Sequence, residues 1–337
     1  MKHSFAYLLC AVAASTAPVI HAATPTATQT AAPLAKPAVK PRAVANASFA
    51  ANEPKLRPAS VSVTQIVERN AAARGGLEAW HKITALTMTG KMDAGRARVV
   101  NPADYQPGHK RPLNVPGSEA DRGTLVQLPF VMDFKRPRKS RVEIDFQGQK
   151  AIQIYDGTKG YKLRPFLNRT DWQPFSAEEI KVAAQQQELD GALMDYATKG
   201  THIDVEGVAP IEGHDAYRLR LKFKDGQEEH LWVDATSYLE VRIDSARTVG
   251  ARSRPIRTYL RDYRSVNGVK IPYVTETQTE GRPDPERIMV ESASVNPPMD
   301  DARFVPPVAV PASPAPSTKP VTAIQGPAAA PTTSPKH

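Results

Sequence analysis

Residues 217–233 read YRLRLKFKDGQEEHLWV, and this stretch decides the fold class. Apolar residues alternate with arginine and lysine as far as Phe223, Asp225-Gly226 follows, and a second apolar run begins at Leu231. Strict alternation is typical of a strand that is buried on one face, and Asp-Gly between two such runs is typical of a hairpin. The stretch therefore predicts two antiparallel strands, each with one apolar face.

The same alternation recurs along most of the chain. It predicts ten or eleven short strands, and the further runs include 86–92, 125–135, 142–146, 152–154, 202–208, 239–243, 256–263, 269–280 and 287–295. Connections as short as Asn267-Gly268 favour antiparallel neighbours. A sheet of that many strands curls strongly. The sequence thus predicts a mainly β, α+β fold built on one curved antiparallel sheet.

Helical signals are few. One helix is predicted over 64–74, where Gly75-Gly76 ends it, and a short turn over 77–82. A second helix is predicted over 176–196, because Ser176 and Glu179 form a capping box ahead of apolar residues at helical spacing. Two helices are too few to cover the whole apolar face of such a sheet. We therefore expect a cavity on the concave side, capped by the 176–196 segment.

The residues expected to line that cavity are apolar and alternate with charged or polar neighbours. Residues two apart on a strand share a face, so each pair should lie on one side of the sheet. The predicted lining set is Leu86, Met88, Val142, Ile144, Ile152, Ile154, Leu193, Leu219 and Leu221.

Composition divides the chain into a folded core and two tails. Of 31 prolines, six lie in 24–58 and nine in 306–337, in Pro/Ala/Thr-rich stretches that lack apolar periodicity. The predicted organisation is a signal peptide over 1–23, a disordered linker over 24–59, a folded domain over 60–306 and a disordered tail over 307–337. A chain of 60–306 should accordingly keep its melting temperature within a few degrees. The 95–123 stretch predicts a surface insertion in a hairpin.

The N-terminus predicts export to the periplasm. An apolar run over 5–20 follows Lys2 and precedes a small-residue cleavage site near Ala22 or Ala23. The only cysteine, Cys10, lies inside that run, so a lipid anchor and a disulfide framework are both disfavoured. No later run is long enough for a transmembrane helix.

Charge and motifs argue against nucleic-acid binding and against catalysis. The net charge is +9, but eight Lys/Arg and one Glu lie outside 60–305, which leaves +2 for the core. No nucleophile elbow, phosphate loop, dinucleotide fingerprint or zinc-protease motif is present. The nearest titratable group is Asp204 and Glu206 beside His202, with His214 and Asp215 on the next hairpin. These residues are more simply explained as polar side chains on the solvent face of two strands. We expect no enzyme, no metal and no cofactor.

A series of short motifs resembles the outer-membrane lipoprotein-sorting family. The motifs span the folded part in order and are IVERNAAARGGLEAW (66–80) with 86–92, FKRPRKSRVE (134–143), IYDG (154–157) with Gly160-Tyr161, DGALMDYATKG (190–200), EGHDAY (212–217), DYRSVNGVKIP (262–272) and FVP (304–306). The resemblance implies an incomplete barrel, an eleven-stranded curved sheet capped by helices over an apolar cavity.

The expected function is a periplasmic binding protein or carrier for an acylated ligand, a lipoprotein or a lipid. Two alternatives remain open, a sensor that uses the same cavity and a non-catalytic envelope scaffold. The basic tails could contact anionic envelope polymers.

Overall fold

The protein is built on one open antiparallel sheet of 13 strands. The computed structural model describes residues 49, 53–97, 124–185, 189–249 and 252–307. The strands are β1 (Ala85–Ala97), β2 (Thr124–Lys135), β3 (Lys139–Phe146), β4 (Gln149–Tyr155), β5 (Gly160–Arg164), β6 (Arg169–Pro174), β7 (His202–Ile211), β8 (His214–Lys222), β9 (Glu228–Asp234), β10 (Glu240–Val249), β11 (Arg252–Val266), β12 (Val269–Thr279) and β13 (Glu286–Val295).

Two meanders meet at the first and last strands. The order across the sheet is β6-β5-β4-β3-β2-β1-β13-β12-β11-β10-β9-β8-β7. The edges are therefore β6 and β7, which are consecutive in the chain but do not pair. The predicted class, a mainly β protein with a curved antiparallel sheet that stays open, is confirmed. The strand count is higher than predicted, in part because the polar strand β6 has no apolar alternation.

Three α-helices lie within the described residues: α1 (Val63–Ala73), α2 (Leu77–His81) and α3 (Ala177–Gln185). Ser62 and Gln65 form a capping box on α1, and the predicted box at Ser176 is present ahead of α3, where Glu179 N donates to Ser176 Oγ at 3.2 Å. None of these helices is long and apolar enough to cross a membrane.

The helix predicted over 176–196 is wrong in its second half. Helix α3 ends at Gln185, and residues 189–200 form successive turns. Gly191 has φ +82° and Asp195 has φ +52°, both in the left-handed region that a continuous helix excludes. We call residues 189–200 the plug.

The hairpin predicted around the 95–123 insertion is present. Strands β1 and β2 pair as far as Ala97 opposite Thr124, so residues 98–123 connect two adjacent strands. The insertion itself, the predicted signal peptide, residues 24–48 and residues 308–337 lie outside the described residues.

Residues 53–57, which we call the N-terminal strap, lie against the face of the sheet opposite the helices. Arg57 exchanges two backbone hydrogen bonds of 2.9 Å with Val208 on edge strand β7. Leu56 packs against a buried cluster that contains Trp232. The domain boundary at residue 60 stays a prediction, but these linker residues contact the sheet.

Glu53 is the electrostatic anchor of this strap. Its carboxylate accepts from Arg242 Nη2 at 3.1 and 3.2 Å, and it also pairs with Arg257. Both arginine side chains are buried, and Asp244 accepts from Arg242 at 2.6 Å. Arg218 lies 3.6 Å from Glu53 and completes the group. The strap thus supplies one of the acids that neutralise buried arginines on this face.

A segment after β13 covers the other half of the same face. Phe304 is buried against β3, and Arg303 pairs with the buried carboxylate of Asp133. Lys135 donates to Asp301 at 2.7 Å, and Lys135 and Lys139 together lower the pKa of Asp301 to about 2. We call the face opposite the helices the outer face. Each half of the sheet is covered on this face by a segment that precedes β1 or follows β13 in the chain.

Candidate functional site

The inner face of the sheet, defined as the face against which α1, α2 and the plug pack, carries two apolar clusters. Cluster 1 lies on β1–β3 and β12–β13, and cluster 2 lies on β7–β11. Of the predicted lining residues, Leu86, Met88, Val142 and Ile144 belong to cluster 1, whereas Leu193, Leu219 and Leu221 belong to cluster 2. All seven are buried. That they line a ligand site stays a prediction.

The strand register corrects the face assigned to Ile152 and Ile154. Ile152 lies opposite Glu143, and Ile154 lies opposite Arg141. Directly opposed residues of an antiparallel pair share a face, and Glu143 alternates with Val142 and Ile144 along β3. The two isoleucines are therefore buried on the outer face. The apolar patterns alone suggest that the isoleucines of β4 lie opposite Val142 and Ile144 of β3, and the observed register differs from that by one position.

The plug lies between the two clusters and contacts both. Leu189 and Met194 belong to cluster 1, and Ala192 and Leu193 belong to cluster 2. Leu193 is 0% exposed and Met194 is 1% exposed. Side chains of the chain itself thus occupy the middle of the inner face.

Buried ion pairs hold the plug in place. Asp190 accepts from Lys199 Nζ at 2.8 Å and from Arg136 Nη2 at 3.2 Å, and its side chain is 3% exposed. Its backbone carbonyl accepts from Arg74 Nη1 at 2.7 Å. Burial favours the neutral acid, but Lys199 and Arg136 outweigh it, so the pKa of Asp190 is lowered. We call these four residues the Asp190 cluster.

Arg74 connects this cluster to α2 and to the sheet. Its guanidinium lies 4.4 Å from the Trp80 ring centre, a cation–π contact, and 3.7 Å from Glu240 on β10. Its carbonyl accepts from Trp80 Nε1 at 3.0 Å. A Cβ at Gly191 would lie 3.0 Å from Arg74 Nη1, so the close approach of the plug requires glycine there.

A groove of about 620 Å³ opens to solvent beside α2. Its floor and walls combine apolar side chains with a few polar groups, as in small-molecule sites of this size. The lining residues are Gly75, Gly76, Leu77, Glu78, Ala79, Lys82, Ile83, Asn267, Val295 and Asn296. None of the predicted lining residues is among them.

The titratable group at His202 is neutralised by arginines. Asp204 accepts from Arg220 at 2.7 Å, and Glu206 lies 3.1 Å from Arg218. Across the part of the chain that the structure describes, no three His, Cys, Asp or Glu side chains are placed to hold a metal ion. These residues therefore form cross-strand ion pairs on the outer face of β7 and β8.

Comparison with solved structures returns distant matches at 10–13% identity. A LolA superfamily protein from Nitrosomonas europaea is 13% identical, with a TM-score of 0.47, covering 73% of this chain and 99% of its own. A DUF1329 family protein from Desulfovibrio piger is 12% identical, with a TM-score of 0.47, covering 72% and 97%. A putative outer membrane lipoprotein-sorting protein domain from Vibrio parahaemolyticus is 10% identical, with a TM-score of 0.46, covering 71% and 94%.

No family model and no curated protein matches the chain.

Sequence reasoning missed the residues that hold the plug. Arg136 stands in the basic motif 134–143, where nothing in the sequence marks it for burial, yet it donates to Ile83 O at 2.8 Å and to Asp190. Asp190 precedes a glycine, as do Asp156 and Asp225, which stand at turns. No periodic pattern marks either residue, because the two lie 54 positions apart in the chain.

Proposed function

We propose that this protein binds an acylated ligand, a lipoprotein or a lipid, on the inner face of its sheet and carries it through the periplasm. The observation that supports this is an open sheet whose apolar inner face is closed by a short plug held by ion pairs. A domain with a purely structural role would need only continuous apolar packing on this face, without buried ion pairs that hold a separate segment over it.

Burial of one acyl chain supplies enough free energy for binding. Each methylene withdrawn from water contributes about 0.8 kcal/mol, so a chain of about 14 carbons offers on the order of 10 kcal/mol before the costs of association. Both clusters consist of leucine, isoleucine, valine, methionine and aromatic side chains. Such a surface binds alkyl chains without any catalytic group.

Binding requires the plug to move. In the structure Leu193 and Met194 occupy the region between the clusters, so an acyl chain must replace them. A ligand then selects the open state, and its apparent affinity falls by the fraction of molecules that are open. The Asp190 cluster sets that fraction.

Lipid extraction and native mass spectrometry of protein exported to the periplasm test the proposal directly. Copurified acyl species in stoichiometric amounts are the expected result. A protein that is repeatedly empty, and that takes up no acyl probe after refolding, would favour the envelope scaffold. A carrier and a sensor would both bind the ligand, but only a carrier would then release it to an acceptor membrane.

Replacing Asp190 by asparagine is expected to speed ligand uptake. The change removes the charge that pairs with Lys199 and Arg136 and leaves those cations partly unpaired in a buried site. The plug should open more often, so the initial rate of uptake of a fluorescent fatty acid should rise about tenfold or more, while the melting temperature falls.

Asp195→Asn is the matched control in the same plug. Asp195 contacts one side chain, His81 at 2.6 Å, and the two side chains are 31% and 50% exposed, whereas Asp190 pairs with two cations and is buried. Exposed pairs contribute about 1 kcal/mol or less. Asparagine also tolerates the positive φ of that position. Equal uptake rates in the two variants would contradict the role assigned to the Asp190 cluster.

A further inference from the structure

Two glycines, Gly75 and Gly76, form the α1–α2 corner and line the groove beside α2. Gly75 has φ +107°, and a Cβ there would lie 2.1 Å from the carbonyl oxygen of Gly268. The corner therefore packs directly on the backbone of the β11–β12 turn. A Cβ at Gly76, in contrast, would meet nothing within 4 Å, because it would point into the open groove.

Cluster 1 reaches the surface at this groove. Ile83, on the groove floor, is a buried member of cluster 1, and Ala79 and Val295 pack against that cluster. At the rim, Leu77 is 38% exposed, one of three large apolar side chains with such exposure among the described residues. Apolar surface thus continues from the rim of the groove to the proposed ligand interior.

The charges at the groove cancel. Glu78 and Lys82 are one helical turn apart, and they are the only ionisable residues in the lining. The side-chain amide of Asn296 is hydrogen-bonded within the groove wall, since its Nδ2 donates to Lys82 O at 2.9 Å and its Oδ1 accepts from Thr84 N at 2.7 Å. The groove should therefore favour a ligand that has an apolar chain and a polar group without net charge.

We propose that this groove is a second binding site, which holds an alkyl chain next to a neutral or zwitterionic linkage, and that acyl ligands enter cluster 1 through it. This inference rests on the proposed function and adds to it where the ligand enters and which head group is favoured. A zwitterionic lysophospholipid should bind more tightly than a fatty-acid anion of the same chain length.

Leu77→Asp tests the site, with Leu125→Asp as the matched control. Leu125 is 36% exposed and lies on β2, away from the groove lining. Leu77 is the first residue of α2, where an acidic side chain is compatible with the helix dipole, so the fold should be kept. The probe is lysophosphatidylcholine with a chain of about 14 carbons, titrated below its micelle-forming concentration.

The expected result is a loss of affinity of about threefold or more in Leu77→Asp, since the ligand no longer buries the 38% of Leu77 that is exposed and must desolvate a charge instead. Leu125→Asp should bind as the unmodified protein does. Lys82→Glu should weaken binding of a fatty-acid anion more than binding of lysophosphatidylcholine.

Failure of this proposal and failure of the proposed function give different results. Equal affinities in Leu77→Asp and Leu125→Asp, with the unmodified protein binding well, would overturn the groove site and leave the inner-face site standing. Absence of binding of every acyl probe by the unmodified protein would overturn both.

Discussion

Glu53→Gln is expected to lower the free energy of unfolding by about 3 kcal/mol, the lower end of the cost of removing one partner from a buried ion pair. The lower end applies because the Glu53 side chain is 27% exposed, whereas those of Arg242 and Arg257 are 4% and 9% exposed. Without the Glu53 carboxylate, Asp244 is left to neutralise both arginines. Urea denaturation of the full chain measures the effect.

Glu212→Gln is the matched control on the same face of the sheet. Glu212 also accepts two hydrogen bonds from one arginine, Arg261, but its side chain is 52% exposed. Its loss should cost about 1 kcal/mol or less. Similar small losses in both variants would show that the strap is not an anchor.

The same strap changes what is expected of truncation. From composition, a chain of 60–306 should keep its melting temperature. Because that chain lacks Glu53 and the bridge between Arg57 and Val208, the structure instead predicts a loss comparable with that of Glu53→Gln. Composition could not reveal this, since three contacting residues, Glu53, Leu56 and Arg57, inside a proline-rich stretch leave no periodic signal.

Local patterns in the sequence were sufficient for the strands but not for their relative registers. Alternation in 217–223 predicts β8 correctly, because one-sided burial imposes a period of two on each strand separately. The face that β4 presents depends on its register with β3, and that register places Ile152 opposite Glu143. An apolar pattern is the same for either face, so the sequence alone does not distinguish them.

The end of α3 shows a second limit of local reasoning. Apolar residues at helical spacing continue through Leu193 and Tyr196, so the pattern predicts one long helix. Gly191 takes a positive φ, and its position against Arg74 is a tertiary contact between residues more than a hundred positions apart. The plug, and with it the candidate site, is therefore defined by contacts that no local pattern contains.

Leu193→Ala and Leu219→Ala should have equal effects on stability and opposite effects on ligand binding. Both leucines are 0% exposed and belong to cluster 2. Each truncation should cost about 2–5 kcal/mol, the transfer and cavity terms for a buried leucine. Leu193, however, is part of the plug that a ligand replaces, whereas Leu219 is part of the surface that a ligand contacts.

Affinity for a fluorescent fatty acid should therefore rise about tenfold or more in Leu193→Ala, because the closed state loses a contact that the ligand-bound state does not use. In Leu219→Ala affinity should fall, because the bound chain loses apolar contact. The milder pair Leu193→Val and Leu219→Val keeps the comparison measurable if the alanine variants unfold. Changes of the same sign in both members of a pair would mean that the plug and the sheet form one permanent core, and the carrier would then lack a site for its acyl chain.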